Sequence, residues 1–118
     1  MAGHEISLQQ LVDKFQLSQD QLDTEVSDEH LMEVSRIIDD HEIVGPELGL
    51  TPEEMTAIDR DERTHDLRKK AMLRNWKQKF TWKATYCKLI EALLKCSRPD
   101  QARDVCELLA QSKCYSIQ

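Results

Sequence analysis

The groups in this sequence able to do covalent or metal chemistry are four cysteines and four histidines, and their spacing works against both uses. Cys87, Cys96, Cys106 and Cys114 lie 9, 10 and 8 residues apart with no Cys-x2-Cys pair, so the usual spacing of a structural zinc site is missing. His4, His30, His41 and His65 are scattered without a His-x3-His pair, which leaves solvated or partly packed imidazoles as the expectation and no metal site. Cys87 and Cys106 fall on or beside apolar helix faces, where a thiol stays protonated and inert. No glycine-rich phosphate loop and no Gly-x-Ser-x-Gly elbow occur, and most carboxylates fall on faces that should be wet. The residues therefore predict no catalytic group, no cofactor and no small-molecule substrate: the chain reads as a non-enzyme.

What the sequence does offer is charge, unevenly placed. Residues 1–66 hold 18 Asp/Glu against four Lys/Arg, whereas residues 67–118 hold 12 Lys/Arg against four Asp/Glu, giving the formal net charge of −6. No acid occurs between Asp66 and Glu91, while Arg68, Lys69, Lys70, Arg74, Lys77, Lys79, Lys83 and Lys88 all fall there. The acids Glu53, Glu54, Asp59, Asp61 and Glu62 gather just upstream. One exposed ion pair contributes only about 0–1 kcal/mol, but complementary patches of several charges speed encounter and fix a docking register.

Helical periodicity carries these charges. Leu8, Leu11, Phe15 and Leu22 suggest one or two amphipathic helices near the amino terminus, the second opened by Ser18 and Gln21 as a capping box. Ser27-Asp28 starts a helix to about Asp40 with Leu31, Val34 and Ile38 on one face. A short helical turn over His41–Leu48, disturbed by Gly45-Pro46, leads to Gly49 at a helix C-terminus. Thr51-Pro52-Glu53-Glu54 caps the next helix, with Met55 and Ile58 inward. A longer helix from about Asp66 to Phe80 aligns Met72, Leu73, Trp76 and Phe80, with Lys70, Arg74 and Lys77 on one flank. Tyr86, Leu89, Ile90 and Leu93 mark a helix over Lys83–Cys96, and Ala102, Val105, Cys106 and Leu109 mark another after Ser97-Arg98-Pro99-Asp100. That makes six helices from Asp28 onward, with no strand signal and no internal repeat.

With 118 residues, three glycines, three prolines and 32% charged residues, the composition suits one all-α domain with a single core. No apolar run approaches the roughly 18–20 residues that span a bilayer, and the amino terminus lacks a basic stretch leading into an apolar one. Reduced thiols, a cytoplasmic location and no membrane insertion are the corresponding expectations.

The order of these elements resembles the death domain, a six-helix antiparallel, Greek-key-like bundle found in adaptors and receptors of apoptotic and innate immune signalling. The resemblance covers roughly Glu29 to Leu109. It rests on the Leu48-Gly49-Leu50 turn before a capped acidic helix, on Met72-Leu73 ahead of Trp76, on the run Ala84 to Leu93, and on Asp100 to Val105. His41 stands where many death domains carry a tryptophan. The caspase recruitment, death effector and pyrin domains share the bundle, and the Leu-Gly-Leu turn with Trp76 favours the death domain.

The resemblance implies an adaptor or receptor-tail domain that signals by homotypic contact with other death-domain proteins or with itself. The expected division is an N-terminal helical extension over 1–27, a bundle over 28–112 and a tail over 113–118. The expected contact joins an acidic face, Glu53, Glu54, Asp59, Asp61 and Glu62, to a basic face, Arg68, Lys70, Arg74, Lys77 and Lys79. Two faces on different sides suit a heterologous, repeating contact. A basic helix near Trp76 and Trp82 also fits nucleic acid, although Trp76 falls on the core face and the chain is acidic. Trp82, at a helix junction, is either half exposed in an interface or packed into the corner. A helical module that only supports a larger protein is the third reading.

Overall fold

The computed structural model of the protein describes residues 6–112; His4, Cys114 and the tail over 113–118 lie outside the described residues. Two short helices come first, α1 (Leu8–Phe15) and α2 (Gln19–Leu22), each opened by a reciprocal capping box, Ser7 with Gln10 and Ser18 with Gln21. They pack on the last two helices of the chain, and Leu11, Leu17, Leu22 and Val26 enter the common core. A single antiparallel bridge between Glu25 and Thr85 fastens the entry to the bundle: Val26 N–H donates to the Ala84 carbonyl at 2.9 Å and Tyr86 N–H to that of Thr24 at 3.2 Å.

Helix α3 (Asp28–Ile37) starts at Ser27, whose hydroxyl accepts from His30 N–H. It stops three residues short of the expected Asp40, because Ile38 is extended and Asp40 serves as the cap of α4 (His41–Glu47). Pro46 lies inside α4 without breaking it. The buried face of α4 is His41, Val44, Gly45 and Leu48. Gly45 is there for closeness: a Cβ on it would sit 2.5 Å from Met55 Sδ. Gly49, at φ +106°, ends the helix in a Schellman turn, with Leu50 N–H on the Gly45 carbonyl and Gly49 N–H on that of Pro46.

Helix α5 (Pro52–Asp61) carries the expected threonine cap and N1 proline. Helix α6 (His65–Phe80) is the longest among the described residues, at 16 residues, and buries Ala71, Met72, Leu73 and Trp76 against α3, α4 and α5. The helix expected from Lys83 begins later. Thr81 turns to φ +53°, a one-turn 3-10 segment covers Thr81–Lys83, and α7 (Tyr86–Lys95) starts only where the Thr85 hydroxyl can accept from Lys88 N–H. A second Schellman turn through Ser97, at φ +60°, reverses the chain into α8 (Pro99–Ser112), which packs antiparallel on α7.

From Asp28 onward the described residues thus form the six-helix all-α bundle, with α1 and α2 added at its amino end. Among them no helix is long and apolar enough to cross a membrane. Leu11 is the one fully buried side chain of α1. Leu11→Ala should therefore lower unfolding stability by about 2–4 kcal/mol in urea titrations. A change under about 0.5 kcal/mol would show that α1 contributes nothing to the bundle.

Candidate interaction surface

Several of the charged residues singled out in the sequence pair within the molecule. Helices α5 and α6 are packed neighbours, so acids from one and bases from the other meet within the molecule. Glu54 illustrates this. Its carboxylate accepts Thr51 N–H at 2.7 Å, closing the capping box, and accepts Lys79 Nζ at 2.9 Å; the same Nζ donates to the Gly49 carbonyl at 2.9 Å. The Thr51 hydrogen bond first, and Lys79 second, hold the Glu54 carboxyl below its ordinary range.

Asp59 also turns inward. It accepts from Nε2 of the fully buried His41 at 2.9 Å, which places the imidazole proton on Nε2. The Arg68 guanidinium sits 3.8 Å from the Asp59 carboxylate and donates to the backbone carbonyls of Asp59 and Glu62, satisfying the end of α5. His41, Glu42 and Asp59 bring three possible ligand atoms within 4.8 Å. Arg68 already supplies a cation there, which opposes a second one. His41 departs from the solvated imidazole expected of it. The sequence signal was available: His41, Val44, Gly45 and Leu48 fall at i, i+3, i+4 and i+7.

On the other side of α6, Lys77 is only 13% exposed and reaches Asp28 Oδ1 at 2.8 Å and Glu25 Oε2 at 3.6 Å. Its hydrogen bond and charge hold the Asp28 carboxyl below the ordinary value. Lys70 pairs with Asp66 one turn earlier, and Asp61 with Arg60. Arg74 is exposed and has no acid partner among the described residues; Glu53 is likewise exposed, and Glu62 is half-buried.

Lys70, Arg74 and Lys77 do share one flank, as the helical wheel required. With Glu25, Asp28, Leu31, Met32 and Gln78 they line a groove of about 510 Å³ between α3 and α6. Met32, on its rim, is 46% exposed. Three other large apolar side chains, Ile43, Leu67 and Trp82, also face solvent. Sequence periodicity did not reveal Met32, Ile43 and Leu67, which stand outside the apolar stripes, whereas exposure was one of the two expectations for Trp82.

The three described thiols are not poised for chemistry. Burial pushes Cys106 up to about 12 and raises Cys87 and Cys96, the latter two with help from Glu91 and Glu47 respectively.

Asp59→Ala should destabilise the fold by about 1–3 kcal/mol, since it strands the buried His41 N–H. Glu53→Ala should stay within about 0.5 kcal/mol in the same urea titration. The Glu54 carboxyl has a folded pKa below its unfolded value of 4.5. Its contribution is therefore complete above that pH and is lost as pH falls through the folded value. Between about pH 5 and pH 3 the urea midpoint of Glu54→Gln should fall less than that of the wild type.

Comparison with known families places this geometry. The model of the death domain family matches residues 25–109, from the bridge before α3 to the buried end of α8. Searches of curated proteins and of solved structures returned no match. Death domains are protein–protein interaction modules. With its bundle in the order the sequence required and most of its length matched, this chain belongs to the death domain family.

Proposed function

We propose that the chain is a cytoplasmic adaptor or receptor-tail domain that assembles signalling complexes by homotypic contact with other death domains or with itself. The observation that carries this reading is the α3–α6 groove, where apolar Leu31 and Met32 lie beside the unpartnered Arg74 and the stems of Lys70 and Lys77. Exposed apolar side chains set among charged ones suit a protein contact.

Internal pairing narrows the expected faces. Glu54, Asp59, Arg68, Lys77 and Lys79 hold elements of the bundle together, so their charges have little left for a partner. Among the described residues the groups with no internal ion pair are Arg74 on the basic side and Glu53 and Glu62 on the acidic side, while Lys70 is held by Asp66 and Asp61 by Arg60. The nucleic-acid alternative loses support on the same ground: Trp76 is buried, and the cations of Arg68, Lys70, Lys77 and Lys79 are held by carboxylates.

Light scattering of the chain alone, and titration against a panel of death domains, test the proposal. Arg74→Glu should weaken the strongest contact about tenfold or more without changing helicity, and raising salt to about 0.5 M should weaken the wild-type contact likewise. Unchanged binding by Arg74→Glu would remove the groove from the interface. A wild-type chain that binds neither itself nor any death domain would leave the purely structural module as the better account.

A further inference from the structure

The most solvent-exposed large apolar side chain is Trp82, at 70%. It does not pack the corner between α6 and α7; it stands out from it. The chain holds it there at a conformational cost, because the preceding Thr81 is a β-branched residue at φ +53°, ψ −120°. The surroundings are cationic. Lys83 Nζ lies 5.3 Å from the Trp82 ring centre, and Lys79 precedes it. A cleft of about 380 Å³ between the α4 turn and α7 is lined by Lys83, Lys88 and Lys95 together with Glu47 and Glu91. Lys83, Lys88 and Lys95 have no acid within ion-pair distance among the described residues.

A tryptophan exposed beside an uncompensated lysine fits an acidic surface with an apolar centre. The molecule carries such a surface. Of the four exposed large apolar side chains, Met32 borders a groove lined by both signs of charge, Leu67 stands between Asp66 and Arg68, and Ile43 has Asp39 and Glu42 exposed beside it, with no Lys or Arg in the sequence between Arg36 and Arg60.

We propose that Trp82 and its neighbouring lysines dock on the Asp39–Glu42–Ile43 surface of a second copy of this chain. The inference rests on the homotypic reading above and deepens it by naming a contact separate from the α3–α6 groove. Because the two surfaces are different patches, the contact is heterologous and each copy keeps one of each free for the next.

Only two tryptophans report, and Trp76 is buried, so emission changes belong to Trp82. The wild type, sedimented over a concentration series, should associate, with Trp82 emission moving to shorter wavelength as it does. Trp82→Ala and Ile43→Lys, both changes at exposed positions, should each weaken self-association about tenfold or more. Mixed together, these two variants should form a one-to-one pair, because one retains the tryptophan and the other the socket.

Self-association by Trp82→Ala equal to the wild type, while Arg74→Glu is impaired, would overturn the Trp82 contact and leave the homotypic reading standing. A wild type that stays monomeric with unchanged emission, yet binds another death domain, would do the same. Salt-sensitive quenching of Trp82 by a single-stranded oligonucleotide, without self-association, would overturn it in favour of base stacking.

Discussion

A helix that is central to a bundle and also rich in cations must have those cations answered by the elements packed around it. Helix α6 is in that position, and its neighbours supply the acids: Asp28 and Glu25 meet Lys77, Glu54 meets Lys79, and Asp59 meets Arg68. The imbalance between an acidic front half and a basic back half is therefore first an internal complementarity. Each such pair contributes little by itself, about 0–1 kcal/mol where it is wet. Their joint effect is to fix how α3 and α5 lie along α6, because a slip of one turn would separate every pair at once.

The same pairing shapes the corner that presents Trp82. Lys79 ties α6 to the Gly49 carbonyl and to the first turn of α5, and the Phe80 ring occupies the space that a Cβ on Gly49 would fill, 2.6 Å away. With Lys79 and Phe80 committed to the α4–α5 turn, the chain leaves α6 in a set direction. The bridge at Thr85 fixes where α7 begins. Four residues must span the gap, and the positive φ at Thr81 is how they do so. Exposure of Trp82 follows from the two anchors on either side of it.

The six helices were legible because each carried its own stop and start signals: Ser27, Thr51 with Pro52, Gly49 and Pro99 all act as their residue types predict. The core was legible too, since Met72, Leu73, Trp76, Leu89, Ile90, Leu93, Val105 and Leu109 recur at helical spacing and are all buried. The late start of α7 was not, because it depends on Thr81 and on a bridge to Glu25, sixty residues away in sequence. Nor was the fate of the charges. Periodicity assigns a residue to a helix face but says nothing of which neighbouring helix covers that face. Arg68 and Asp59 were thus read as surface charges when they serve the end of α5 and a buried histidine.

This division of labour bears on how such a domain can bind at all. A charge already held by an internal partner at 2.8–2.9 Å offers a newcomer only the difference between two similar pairs, less the cost of desolvation. Affinity must then come mainly from the apolar side chains left outside, Met32, Ile43 and Trp82, with Leu67 beside the groove-lining helix. The uncompensated charges around them, Arg74 near Met32, Asp39 and Glu42 near Ile43, Lys83 near Trp82, give encounter rate and register. A bundle that has spent much of its charge on its own assembly therefore still presents apolar groups with unpaired charge beside them, Arg74 by Met32 and Lys83 by Trp82.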